Sequence, residues 1–232
     1  VPTPSHWGKL WDQRWFAFSL PAGLARRDGL YLVWDDQAEA TLYVDGKPHY
    51  GLDVAHRQAP LPRGAREFWV EAVVCQTGIW HPAATGLDAE GSRFNGARLV
   101  ERDEAHWGLY HDLLALNEVA NEELRAHFGT DVTRFGGCGQ RPVLNNVSPL
   151  LRRLLRGLEE GLDAYELSGA AAARKRLARV FAELRSAPAD LDAVLTGHAH
   201  IDLVWLWPEN VGEFKAVHTF ATANRLLDAY PE

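Results

Sequence analysis

Hydrophobic and polar positions alternate in short bursts over the first hundred residues. WFAFSL (15–20), LYLVW (30–34), ATLYV (40–44) and FWVEAVV (68–74) are rich in β-branched and aromatic side chains, as half-buried strands are. In the last of these, Phe68, Val70, Ala72 and Val74 share one face, and Trp69, Glu71 and Val73 share the other. Within Tyr43-Val44-Asp45-Gly46-Lys47, the Asp45-Gly46 pair predicts a tight hairpin turn, because glycine accepts a positive φ. Strands at this spacing, punctuated by Pro, Gly and Asp clusters, predict a jelly-roll-like β-sandwich over residues 1–100. The stretch 76–100 is rich in Gly and Ala without a clear period and is expected to form long loops.

The period then lengthens. From Asp103 to Phe128, Trp107, Tyr110, Leu113/Leu114 and Leu116 recur near 3.6 residues, and Gly129 is the expected stop. Residues 129–147, with FGGCGQRP, are expected to be loop. Ser148-Pro149 predicts a helix start, since serine caps free N–H groups and proline suits the first helical position. An apolar stripe follows at Leu151, Leu154/Leu155, Leu158, Leu162 and Tyr165, is interrupted at Ser168-Gly169, and resumes at Leu177, Val180/Phe181 and Leu184 until Pro188. Residues 101–190 therefore read as a helical connector.

A third pattern begins at LDAVLTGHAHIDLVWLWP. A short apolar run passes through glycine into polar residues, and after Pro208 comes a helical stripe at Phe214, Val217, Phe220/Ala221 and Leu227, closed by Tyr230-Pro231. This predicts a strand, a loop and a helix over 191–232, the first β-α unit of a (β/α) barrel. Polar residues just past the C-terminal end of such a strand are where these folds build sites. One strand cannot make a parallel sheet, so the barrel is expected to be truncated. The predicted fold class is an α+β multi-domain fragment: sandwich (1–100), connector (101–190) and barrel start (191–232).

Composition narrows the function classes. Of 232 residues, 47% are hydrophobic and 24% charged, the balance of a globular protein. Net charge is 24 − 31 = −7, which disfavours nucleic acid and anionic membrane as partners. No apolar run approaches the roughly 18–20 residues that span a bilayer, and VPTPSHWGKL lacks the layout of a secretory signal. Cys75 and Cys138 cannot make a disulfide framework, so a cytoplasmic location is expected. The absence of methionine leads us to expect a piece of a longer or processed protein. Nine tryptophans are a heavy load. Most, including Trp11, Trp15, Trp34, Trp69 and Trp80, are expected in the core, but indole faces also stack on the C–H patches of sugar rings.

GHAHIDLVW (197–205) carries the densest chemistry. In an extended chain His198, His200 and Asp202 would line one side. Neutral imidazole and carboxylate both ligate Zn²⁺. Either His198 and His200 form the pair, as in the H-x-H of metal-dependent amidohydrolases, or His200 and Asp202 do, with Trp205 walling a pocket. A strand-end loop held by its own hydrogen bonds is the bland alternative. Elsewhere the bland interpretation prevails. Asp35-Asp36 is expected to be a turn and Glu159-Glu160 a solvated helix face; His106 and His111 stand five apart, which is not a ligand spacing; Cys75 and Cys138 are expected to be ordinary buried thiols.

GHAHIDLVWLWP, then Phe214-Lys215, Thr219-Phe220-Ala221-Thr222 and Leu226-Leu227 to Tyr230-Pro231, resembles the start of the catalytic domain of glycoside hydrolase family 38 α-mannosidases. The family pattern is close to G-H-x-H-x-D-x-x-W-x-W-P followed by a T-F-S-T-like helix. TLYVDGKPHYGLD (41–53) is similar to a segment of the sandwich domain that precedes the barrel in the cytosolic, vacuolar-type branch. The resemblance covers essentially the whole chain. It implies a retaining hydrolase of terminal α-linked mannose, active in mannose metabolism, with an α-mannoside or oligosaccharide as substrate and one Zn²⁺ as cofactor. It also implies that His200 and Asp202 are zinc ligands, that Trp205 stacks on the mannose ring, and that His198 has no ligand role. The family's nucleophile, its acid/base and its two further ligands match nothing here, so no catalytic residue is assigned. The chain alone is expected to be inactive and to hold zinc weakly or not at all. Homo-oligomerisation is left open. The rival from another class is a carbohydrate-binding or structural β-sandwich without catalysis.

Overall fold

The computed structural model describes residues 2–75, 91–128, 148–185, 194, 196–202 and 204–230. The chain divides into two compact units, one made of Val1–Arg102 with Leu195–Glu232 and the other of Asp103–Val194.

The first unit is built on eight strands: β1 (Ser5–Trp7), β2 (Gln13–Ser19), β3 (Leu30–Asp36), β4 (Glu39–Val44), β5 (Lys47–Leu52), β6 (Gln58–Pro60), β7 (Glu67–Val73) and β8 (Ser92–Glu101). A one-turn helix, α1 (Ala22–Ala25), separates β2 from β3. The strands form two antiparallel sheets in the orders β1-β8-β3-β6 and β2-β7-β4-β5. First pairs with last, second with seventh, third with sixth and fourth with fifth, which is the wrapping of an eight-stranded jelly roll. Phe68, Val70, Ala72, Leu42 and Ala40 of one sheet meet Leu30, Leu32, Trp34 and Phe94 of the other in the core.

Local chemistry sets the hairpin at the centre of the wrap. Val44 pairs with Lys47, and the two residues between them are both left-handed, with φ 50° at Asp45 and 74° at Gly46. That is the primed turn whose twist matches the flanking strands.

Two expectations fail here. Residues 92–101 are not loop but β8, a ten-residue strand bonded to both β1 and β3. Only Ser92 and Phe94 of it are buried, so its composition carries little strand signal, and pairing on both sides supplies what composition lacks. Residues 76–90, including Trp80, lie outside the described residues. The tryptophans also depart from the core. Trp7 and Trp34 are buried and Trp11 partly so, but Trp15 and Trp69 are 49% and 46% exposed. Their strands place Phe16, Phe18, Phe68 and Val70 inward, so the period of two turns Trp15 and Trp69 outward.

The second unit holds α2 (Glu104–Phe128), α3 (Pro149–Ser168) and α4 (Ala170–Arg185). Ser148 Oγ accepts from Leu151 N at 3.0 Å, with Pro149 at the first helical position, as the sequence predicts. Gly169, with φ 80°, separates α3 from α4. The buried face of α3 is rotated from the expected stripe: Leu151, Leu154, Gly157 and Gly161 are buried, while Leu162 and Tyr165 are exposed. The glycines explain this. A Cβ at Gly157 would lie 2.6 Å from Val180 Cγ2, and one at Gly161 would lie 2.5 Å from Leu177 Cδ2, so their absence lets α4 approach α3 closely. The expected helix stop at Gly129, the loop over 129–147 and Cys138 lie outside the described residues.

The last helix, α5 (Glu209–Ala229), packs on β4 and β5 against the outer face of the second sheet. Val211 and Phe214 join Val73 and Cys75 in a small apolar cluster of their own. Of the expected stripe, Phe214 and Ala221 are buried, but Phe220 and Leu227 are exposed. Among the described residues of 194–202 there is no strand, and 191–193 and 195 lie outside them. The described architecture is therefore α+β, with two antiparallel sheets, five helices and no closed barrel.

Candidate functional site

The segment before α5 runs along the surface. Gly197 to His200 are exposed, and nothing lies within 4 Å of where a Cβ would stand on Gly197. The His198 and His200 rings stand 6.3 Å apart, and His200 Nε2 lies 3.3 Å from Asp202 Oδ2. Two ligands of a tetrahedral zinc, each about 2.0–2.1 Å from the metal, are separated by roughly 3.3 Å. The His200 and Asp202 donor atoms stand at that separation, which is also the contact distance of a direct His–Asp ion pair. Their side chains are 70% and 43% exposed, so as an ion pair they add at most about 1 kcal/mol to stability. Among the described residues no group of three or more His, Cys, Asp or Glu is disposed around one point.

The two tryptophans of Trp205-Leu206-Trp207 do different work. Trp207 is partly buried against Val73, Cys75, Val211 and Phe214, and Lys215 Nζ sits 4.5 Å from the centre of its ring. A cation over an indole face is attractive, and this one is desolvated. Trp205 meets Trp207 edge to face at 6.0 Å and remains 53% exposed. The anchored ring thus holds its neighbour at the surface.

Below Trp207 is a buried polar cluster that sequence reasoning missed. Lys215 Nζ donates to Glu39 Oε2 at 2.5 Å, and His218 Nδ1 is 4.0 Å from the same oxygen. Burial pushes the His218 imidazole below its ordinary range, opposed by the negative charges of Glu39 and Asp53. Burial, with Glu39 adding to it, pushes the Cys75 thiol far up, so Cys75 is an inert thiol. One helical turn on, Thr222 Oγ1 accepts from Gly51 N at 3.0 Å. A Cβ on Gly51 would lie 1.8 Å from His218 Cδ2, so the glycine makes the seat for the helix. Lys215, His218 and Thr222 follow an i, i+3, i+7 spacing, but nothing local names Glu39 and Gly51 as their partners.

The remaining polar pairs do structural work. Asp35-Asp36 is not a turn but the end of β3, at a register shift. Asp36 is buried and accepts from Trp7 Nε1 (3.0 Å), Ser92 Oγ (2.7 Å) and Ala38 N (3.2 Å); burial raises its pKa against those hydrogen bonds. Asp35 pairs with Arg57 at 2.9 Å. Glu160 pairs with Arg176, and Glu159 is solvated. His106 pairs with Asp103 at 2.8 Å, while His111 meets the Trp107 ring edge to face.

No protein-family model matches the chain, and no curated protein matches it.

Proposed function

We propose that the chain carries the beginning of the catalytic domain of a zinc-dependent retaining α-mannosidase, a cytoplasmic glycosidase of family 38 type that hydrolyses terminal α-linked mannose. The observation that carries this reading is the 3.3 Å separation of His200 Nε2 and Asp202 Oδ2 within GHAHIDLVWLWP. His200 and Asp202 hold the metal, and the exposed Trp205 offers its face to the mannose ring. His198 stands beside His200 as a support rather than a ligand. Zinc, when bound, supplies a fixed positive charge that orients sugar hydroxyls.

Retaining glycosidases also need two carboxyl groups about 5–5.5 Å apart. In this reading no residue of this chain is assigned as either carboxyl group or as a further metal ligand. The domain plan is a sandwich (1–100), a helical connector (101–190) and the first β-α unit of a barrel (191–232), with the glycan as the main partner.

Zinc titration of the 232-residue chain followed by histidine NMR tests the ligand pair. The His200 resonances should shift at high micromolar to millimolar zinc, and Asp202→Asn should weaken the response about tenfold or more. His198→Ala should leave it unchanged. A loss in His198→Ala as large as that in Asp202→Asn would overturn the assignment in favour of an H-x-H metal pair.

A further inference from the structure

The outer face of the second sheet carries a second feature that the proposed catalytic reading does not use. Trp15 of β2, Tyr43 of β4, and Trp69 and Glu71 of β7 all point to it. In register, Ala17, Trp69 and Tyr43 form one cross-strand row, and Trp15, Glu71, Thr41 and Gly51 form the next. Helix α5 covers the Glu39, Val73 and Gly51 positions of this face, while Trp15 and Trp69 stay about half exposed. The Trp15 ring lies 4.9 Å from the Tyr43 ring, tilted by 53°, and Tyr43 OH donates to Glu71 Oε2 at 2.8 Å. Rigid strands thus present two indoles and a phenol beside a carboxylate whose orientation is already fixed.

We propose that this platform binds the pyranose rings of a neutral glycan through Trp15 and Trp69, with Glu71 accepting from the sugar hydroxyls. The chemistry of the face selects this occupant. A carboxylate that accepts one hydrogen bond from Tyr43 keeps several free acceptor positions, and a sugar offers O–H donors next to C–H patches that match indole faces. An apolar protein surface would bury the remaining acceptor positions of Glu71 without donors, which is unfavourable. A second copy joined about a twofold axis would bring Glu71 and Glu67 towards their own images, in a chain with net charge −7. The same charge disfavours an anionic glycan. Aromatic rings on strands lose little conformational freedom on binding, which is why such residues dominate recognition surfaces. The inference stands apart from the zinc site, since none of its residues touches His200 or Asp202 in the described contacts.

Native-gel affinity electrophoresis of the 232-residue chain in soluble α-mannan, xylan, laminarin and hydroxyethyl cellulose tests it. The chain should be retarded by at least one of these. Trp15→Ala and Trp69→Ala should each weaken retardation about tenfold, equivalent to about 1.4 kcal/mol. Glu71→Gln should weaken it severalfold, and Leu162→Ala, at an exposed position in the second unit, should not change it. Circular dichroism checks that each variant is folded, which outward-facing substitutions preserve. Two results would overturn the proposal: no retardation in any gel, or equal retardation of the wild type and both tryptophan variants. A dimer in sedimentation velocity that Trp15→Ala converts to monomer, without glycan binding, would make the face a self-interface and equally overturn it.

Discussion

Lys215 Nζ and Glu39 Oε2 meet at 2.5 Å across a sequence separation of 176, and both side chains are nearly buried. The pair ties helix α5 to strand β4, and the same ammonium lies over the Trp207 ring. The sandwich, the helix and the segment carrying His200 to Trp207 thus share one charged contact.

Breaking this pair on one side should be costly. Removing one partner of a buried ion pair leaves an uncompensated charge, typically about 3–5 kcal/mol. Lys215→Met should lower the urea midpoint accordingly and change Trp207 fluorescence. The double variant Glu39→Leu with Lys215→Met should recover most of the loss, because no lone charge remains. Equal destabilisation in single and double variants would contradict this account.

The seat of α5 makes a second prediction. Gly51→Ala puts a methyl group into the His218 ring and should destabilise the first unit by about 1–3 kcal/mol. His218→Ala in the same chain should relieve much of that penalty. A double-mutant cycle on chemical denaturation reads the coupling, which should exceed about 0.5 kcal/mol.

Stability should also depend on pH through His218. Its pKa in the folded chain lies below the ordinary value near 6.5, mainly through burial, with Glu39 and Asp53 opposing and Lys215 and His56 adding. The unfolded chain therefore binds the proton more readily. The histidine's contribution is fully present above about pH 6.5 and declines as pH falls from there towards the folded value. His49 shifts in the same direction, by burial first and then by Arg225. Denaturation midpoints should rise between pH 5 and 7.5, and His218→Gln should flatten the rise. An unchanged slope in that variant would place the effect elsewhere.

In the second unit, the buried glycines of α3 should matter more than its exposed Leu162. Gly157→Leu would drive a side chain into the stiff, β-branched Val180 and should lower thermal stability despite the better helix propensity of leucine. Leu162→Ala, at an exposed position, should change it little. Thermal unfolding followed by circular dichroism compares the two.

Several elements were legible in the sequence because their causes are local. The Asp45-Gly46 turn, the Ser148 cap and the two faces of β7 each depend on residues within a few positions of one another. The pairing of His200 with Asp202 belongs to the same class, because two residues of spacing bring both side chains to one side. The rotation of α3 was hidden because glycine has no hydrophobic weight, yet it fills the helix contact by its smallness. Strand β8 was hidden because only Ser92 and Phe94 of it are buried and its partners β1 and β3 lie far along the chain.

The sequence by itself determined the strands near 15–20, 30–34, 40–44 and 68–74, the helix start at Ser148-Pro149, the two alternating faces of β7, and which side chains gather in GHAHIDLVW. Only the tertiary structure decided the jelly-roll order, the outward stand of Trp15 and Trp69 as one platform, and the seating of α5 on Gly51 and Glu39. The physical reason is range. Periods of two and 3.6 residues and helix caps act over a few neighbours, whereas the partner of a strand or a buried charge is chosen by shape and charge complementarity between segments far apart along the chain.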